Sequence, residues 1–282
     1  MNYLVTGGAG FIGSNLAQYL ASRGHKVIVL DNLSTGHRKN LPSGIRFREG
    51  DVRNFLTLTK CARNVDVIFH LAASVGNTRS IADPILDAET NVIGTLNVLE
   101  AAKDCGVRRV VYSSSAGIFG QLKTLPIRED HPVEPDSPYG ASKLCAEKMC
   151  LAYAKLHGLE AICLRYFNVY GPHQRFDAYG NCIPIFTQQI FAHEPITIFG
   201  DGRQTRDFVN VADVVQANYQ AAFCKTDFGA FNIGSGTRIT LNRLIELMAV
   251  ASGAQPMVEY GPPRALAMQS SCYAPATILP CP

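Results

Sequence analysis

NYLVTGGAGFIGSNLAQYLASRG, residues 2–24, decides the architecture of this chain. A short apolar run enters Gly7-Gly8-Ala9-Gly10-Phe11-Ile12-Gly13, and an amphipathic segment follows at once. Ile12, Leu16 and Leu20 recur at helical spacing, and Gly24 stands where a left-handed C-cap belongs. Between a strand and a helix, G-x-G-x-x-G allows a tight turn, close approach of the backbone to a pyrophosphate, and close helix packing. The helix then offers the phosphates its free N–H groups and positive end. The next strand, KVIVLD, ends in Asp31. An acid there accepts hydrogen bonds from ribose hydroxyls and repels a 2′-phosphate, which points to NAD over NADP.

Working outward, VDVIFHLAA (65–73), RRVVYSS (108–114) and EAICLRYFNVYG (160–171) read as further strands. ETNVIGTLNVLEAAKDCG (89–106) reads as a helix, with Val92, Leu96 and Leu99 at core spacing. Alternating strands and helices predict an α/β fold: a Rossmann-type doubly wound parallel sheet over residues 1–170. From 171 the texture is loop-rich and the elements are short, AFNIGSG among them, so residues 171–282 read as a smaller substrate lobe. Part of 205–225 is expected to pack back on the first domain.

With 47% hydrophobic and 17% charged residues, the 282-residue chain has a globular composition, and its net charge of +3 is too mild for nucleic acid or a membrane surface. No apolar run reaches the roughly 18 residues that span a bilayer. The chain opens directly into a strand, so no secretory leader is expected. Nine scattered cysteines without a CxxC, and seven dispersed histidines, imply reduced thiols in a cytoplasmic protein and no metal site.

Two stretches carry chemistry. SSSAGIFG (113–120) ends a strand with three hydroxyls, and it lacks the G-x-S-x-G of a hydrolase elbow. In SPYGASKL (137–144), Pro138 suits a first helical turn, so Tyr139 and Lys143 project along one face. A tyrosine must fall by ~3 units, roughly 4 kcal/mol, to act as a base near neutrality. One ammonium at ~6 Å in an effective dielectric of ~20 supplies roughly 2.8 kcal/mol. Lys143 alone falls short, and a second cation such as an oxidised nicotinamide ring would help close the gap.

TGGAGFIG, DN (31–32), DVR (51–53), HLAA (70–73), the serine strand, YGASK (139–143) and RYFNVYGP (165–172) occur in one order. Together they resemble the extended short-chain dehydrogenase/reductase family, and within it the NAD-dependent nucleotide-sugar 4-epimerases. The resemblance runs from residue 1 to about Arg264. It implies that Gly7, Gly10 and Gly13, with Phe11 and Ile12, cradle the pyrophosphate of NAD. Asp31 and Asn32 would hold the adenosine ribose, and Asp51 and Val52 would flank the adenine. Leu71, Ala72 and Ala73 would line the cofactor channel, with Tyr139, Lys143 and Tyr166 at its nicotinamide end. On the substrate side it implies Asn168 and Asn181 at the sugar-nucleotide, Phe199 against the uracil, and Arg206 and Arg264 on the diphosphate.

The family's catalytic hydroxyl lies three residues before its V-Y-G-like turn, which makes Ser115 the acid/base partner of Tyr139 and Lys143. Ser113 and Ser114 are then expected to satisfy backbone or cofactor groups. Dehydrating relatives carry Asp-Glu directly after the hydroxyl, and decarboxylating ones keep a Glu. Ala116 and Gly117 titrate nothing, which leaves epimerisation at C4 of a UDP-sugar, UDP-glucose/UDP-galactose first. The alternatives are an N-acetylhexosamine or uronic acid substrate, or an NAD-binding protein with an incomplete substrate site. A homodimer through the helices near 85–104 and 139–156 is also implied. ALAMQSSCYAPATILPCP (265–282) has no Lys, Arg, Asp or Glu and no periodicity, so the C-terminus is expected to be truncated or altered after 264.

Overall fold

The computed structural model describes residues 1–177 and 180–263; Arg264 and the segment 265–282 lie outside the described residues. The first strands are β1 (Asn2–Thr6), β2 (Lys26–Asp31), β3 (Arg46–Glu49), β4 (Val67–His70), β5 (Arg109–Ser115) and β6 (Glu160–Tyr166). Short strands follow: β7 (Asn168–Tyr170), β8 (Ile196–Phe199), β9 (Thr205–Arg206), β10 (Phe208–Asn210), β11 (Phe228–Ile233), β12 (Ile239–Thr240) and β13 (Val258–Gly261). The helices are α1 (Phe11–Ser22), α2 (Phe55–Ala62), α3 (Asn77–Ala82), α4 (Pro84–Ala88) and α5 (Gly94–Asp104). After them come α6 (Pro138–His157), α7 (Cys182–Ala192), α8 (Val211–Ala221) and α9 (Leu241–Ser252).

Among the described residues the main sheet has seven strands in the order β11-β6-β5-β4-β1-β2-β3, and every pair is parallel. Strand order reverses between β1 and β4, the switch point where such sheets open a crevice beyond their carboxyl ends. Both faces are covered, which is why β4 is buried at all four positions. Leu16, Ala17 and Leu20 of α1 share one core with Val214 and Val215 of α8. Leu58 of α2, Val98 and Leu99 of α5 and Ala146 of α6 fill the opposite face. Each fully buried leucine contributes about 2–3 kcal/mol.

Four features depart from the sequence expectations. AFNIGSG does not stay in the second lobe: β11 pairs with β6 from Phe228–Ala161 to Ile233–Tyr166 and forms the sheet edge. The stretch 160–171 is two strands, because after Tyr166 the backbone changes partners. Phe167 N donates to Ile233 O, Asn168 N donates to Asp207 O, and β7 then pairs with β10. β3, a short polar strand, was not anticipated. The helix expected through 85–104 is interrupted: Asp83 caps α4 at Leu86 N (3.0 Å), and a π-helical turn at Glu89–Ile93 precedes α5. That turn aims Asn91 inward, where it is fully buried.

The smaller core gathers Phe186 and Ile190 of α7, Ile196 and Ile198 of β8, and Leu244 and Ile245 of α9. No described helix is long and apolar enough to cross a membrane.

Candidate functional site

The glycine loop is built for an anion. Gly7 is left-handed, and a Cβ there would sit 2.6 Å from Ala72 N; one at Gly13 would sit 2.2 Å from Gly7 O. With Gly10 at the N-cap, no side chain caps α1 and no acid occupies its first turn. The helix end is therefore left to a phosphate. Phe11 and Ile12 are partly buried there, against the α1 core. Asp31 is buried, and its carboxylate accepts from Ala9 N (2.9 Å) and Leu33 N (2.8 Å). It thus fixes the loop at the end of β2, with lone pairs left for ribose hydroxyls.

Farther along, Asn32 Nδ2 donates to Asp51 Oδ2 (2.8 Å). Arg53 donates to both Asp51 oxygens (3.0 Å each), which holds that carboxyl down to about 2. Val52 is buried, and Leu71, Ala72 and Ala73 follow β4 as a partly buried wall beside the glycine loop. These donors and this cradle fit a dinucleotide of the NAD type.

The catalytic candidates meet where β5 ends and α6 begins. Ser137 caps α6 by accepting from Gly140 N (3.1 Å), and Pro138 occupies its first position. A Cβ on Gly140 would lie 2.4 Å from Gly117 O, so only glycine lets α6 close on the turn after Ser115. Ser115 Oγ accepts from Gly117 N (3.1 Å) and lies beside the Tyr139 hydroxyl.

The three serines have three different surroundings. Ser114 Oγ donates to buried Glu147 (2.6 Å), which holds Arg165 in a bidentate pair (2.7 and 3.0 Å). Ser113 interacts with Tyr166, whose hydroxyl bonds Asn218 of α8 (2.9 Å). Tyr166, expected at the cofactor, is thus engaged within the protein, and it also contributes to the lining of the cleft.

Burial pushes the Tyr139 phenol up to about 12; the Ser115 hydroxyl draws it partly back, and the Asp87 carboxylate adds to the rise. Burial pushes the Lys143 ammonium down to about 8, over the Tyr112 ring at 4.6 Å. The order is the reverse of the one a base needs: Lys143 loses its proton first. A positive charge brought near the phenol by a bound group would favour the phenolate.

Ser115, Tyr139, Tyr166 and Asn168 line an open cleft of about 1540 Å³, and Asn181, Phe199 and Arg206 line it from the second lobe. Asn168 Nδ2 donates to Asp207 O (3.0 Å), while Asn181 is exposed at the start of α7. Phe199 is 36% exposed and lines the cleft. One Arg206 guanidinium nitrogen donates to Thr205 O (2.9 Å). Arg264, the second diphosphate candidate, falls outside the described residues.

Sequence reasoning missed Asn77, which accepts from Ser137 Oγ (3.1 Å), and a buried cluster of Asp87, Asn91 and Ser142 beneath α6. Only the Asp83-Pro84 helix start offered a signal near it. The two lobes are also stitched at the glycine loop. Ser14 Oγ and His173 Nδ1 are 2.9 Å apart, and Asn15 Nδ2 donates to Pro172 O (3.0 Å). Among the described residues no cluster of His, Cys, Asp or Glu could hold a metal ion.

Known proteins share this fold. Residues 3–234 match the model of the NAD dependent epimerase/dehydratase family. The UDP-glucose 4-epimerase of Mycolicibacterium smegmatis is 40% identical over 271 residues, covering 94% of this chain and 87% of the relative. The structure of UDP-glucose 4-epimerase from Thermotoga maritima with UDP-glucose superposes with a TM-score of 0.92 at 38% identity, covering 96% and 89% of the two chains. That of the Thermus thermophilus UDP-glucose 4-epimerase complex with NAD gives 0.90 at 37% identity, covering 98% and 91%. From its glycine loop to β11, this chain belongs to the NAD-dependent epimerase/dehydratase family.

Proposed function

We propose that this enzyme, an NAD-dependent nucleotide-sugar 4-epimerase, interconverts UDP-glucose and UDP-galactose. The observation that carries the choice of sugar chemistry is the Ser115–Tyr139 pair followed by Ala116 and Gly117, in a cleft whose lining continues to Phe199 and Arg206 of the second lobe. Bound NAD supplies reversible two-electron oxidation at C4. Gly7, Gly10 and Gly13 would hold its pyrophosphate, Asp31 its adenosine ribose, and Lys143 its nicotinamide ribose.

The chain's own contribution is proton handling and grip. Ser115 and Tyr139 hold the O4 proton of the sugar between them and return it after the 4-keto sugar has turned over. Arg206 clamps the diphosphate about which the sugar rotates, using the planar fork of donors that suits phosphate oxygens. Phe199 offers the uracil a flat apolar face, and Asn168 and Asn181 supply amides to the sugar-nucleotide. With no acid at 116 or 117, water is not eliminated from C5 and C6.

A neutral hexose is favoured over a uronic acid. The part of the wall beside the catalytic pair contributes Asn77, Thr78, Ala116, Gly117 and Asp136; none is cationic, and Asp136 repels a sugar carboxylate. We further propose a homodimer through α5 and α6 in a cytoplasmic protein, with size-exclusion light scattering as the check on assembly. The functional test is conversion of UDP-galactose to UDP-glucose by purified protein without added NAD, beside UDP-N-acetylglucosamine and UDP-glucuronate. Turnover of a uronate alone would overturn the choice of sugar.

A further inference from the structure

Asp87 is a carboxylate with almost no access to water: it is 1% exposed. Ser142 Oγ donates to its Oδ2 at 2.5 Å, and Asn91 Nδ2 donates to its Oδ1 at 3.0 Å. Ser142 directly precedes Lys143 on α6. Asn91 also accepts from Ser74 N (2.9 Å) and donates to Ser74 O (3.0 Å), which ties the same cluster to the wall that follows Ala73. Asp87 therefore sits at the junction of α4, the π turn, the cofactor wall and the catalytic helix.

We propose that Asp87 is a positioning residue that locks the first turns of α6 to the cofactor wall and sets the pH window of the Tyr139–Lys143 pair. This rests on the 4-epimerase reading above. The groups facing Lys143 are Asp87 from α4, Glu147 and Cys150 from α6, Cys163 from β6, His70 from β4 and the Tyr112 ring from β5. Glu147 is neutralised by Arg165 at 2.7 Å. His70 is held neutral by burial, and Cys163 is kept a thiol by the same cause.

Asp87 makes no ion pair among the described residues, so its charge is felt by its neighbours. It opposes proton loss from Lys143 and from Tyr139 alike. Burial raises the Asp87 carboxyl above its ordinary value, and the hydrogen bonds from Ser142 and Asn91 and the Lys143 charge draw it partly back toward the carboxylate.

The sign follows. Removing the charge makes both groups easier to deprotonate, so both limbs of the activity profile move to lower pH. One charge acting through an effective dielectric of ~20 is worth about one pH unit at ~12 Å, and more at shorter range. A merely structural defect lowers the profile without moving it.

The experiment compares wild type, Asp87→Asn, Asp87→Glu and Ser142→Ala as purified proteins with measured NAD content. It records kcat against pH with UDP-galactose, and separately the ultraviolet phenolate titration of each protein minus its Tyr139→Phe counterpart. Asp87→Asn should move both limbs and the phenolate titration down by about one unit. Asp87→Glu should leave them in place, and Ser142→Ala, which removes one of the two hydrogen bonds to the carboxylate, should lower kcat several-fold with a shift smaller than that of Asp87→Asn. Unmoved limbs and an unmoved phenolate titration in Asp87→Asn overturn the proposal. Should that variant not fold, Asp87→Ser carries the same expectation. If the wild type turns over no UDP-sugar, the 4-epimerase reading fails by itself, and the phenolate titration still decides the role of Asp87.

Discussion

The sheet half and the second lobe solve the same problem, holding one end of a long ligand, by different means. The sheet half buries two continuous cores on either side of parallel strands. The lobe encloses six buried residues among α7, β8 and α9, and its strands occur in pairs of two to four residues. Local opening free energy follows buried apolar contact. The cofactor end should thus be rigid before ligand arrives, and the nucleotide end should be the softer part.

The sharpest way to break the comparison is Gly13→Ala. Its methyl would lie 2.2 Å from Gly7 O, so the loop must deform; the expected result is protein purified without NAD, with a lowered Tm for the whole chain. Tyr139→Phe should cost about 10³-fold in kcat, or about 4 kcal/mol, while NAD content stays at the wild-type level. A Tyr139→Phe protein that has also lost its cofactor would mean that the sheet half is not preorganised.

Acid should loosen the sheet half specifically. Burial and the Lys143 charge hold His70 down to about 3, neutral between Thr6 and Thr95. The unfolded chain takes up that proton near 6.5, so stability is full above ~6.5 and falls as pH drops toward 3. Denaturant titration should show this slope, and His70→Gln should flatten it.

In the lobe, Phe186→Ala should cost about 3 kcal/mol, read as faster amide exchange in α7 and α9 with α1 unchanged. A global loss of protection would show the two cores to be one cooperative unit. The smallest effect is Phe199→Ala: a rise in KM of about 10-fold at constant kcat.

Legibility in the sequence divides along the same line. β1, β2, β4 and β5 announced themselves as Val- and Ile-rich runs, and the glycine loop fixed their topology. The Tyr139–Lys143 spacing is a helical repeat, visible once Pro138 marks the start. Asp87 and Asn91 were invisible, because a buried polar residue and a solvated one have the same spacing on an amphipathic pattern. Only the π turn, which no periodicity betrays, turns Asn91 under α6. β11 was misplaced for a related reason. A six-residue edge strand reached after a long excursion looks local in sequence, and its partner β6 lies more than sixty positions away.

The contact of Ser14 and Asn15 with Pro172 and His173 carries a kinetic consequence. The first turn of α1, where a dinucleotide would sit, is tied by these two contacts to the loop entering the substrate lobe. Loss of these contacts, as in a Ser14→Ala, Asn15→Ala protein, should speed cofactor release and leave exchange of the sugar-nucleotide through the open cleft unchanged. Residence times at the two ends should differ by orders of magnitude, with one cofactor molecule serving many catalytic cycles and its oxidation state setting how long the enzyme stays in service.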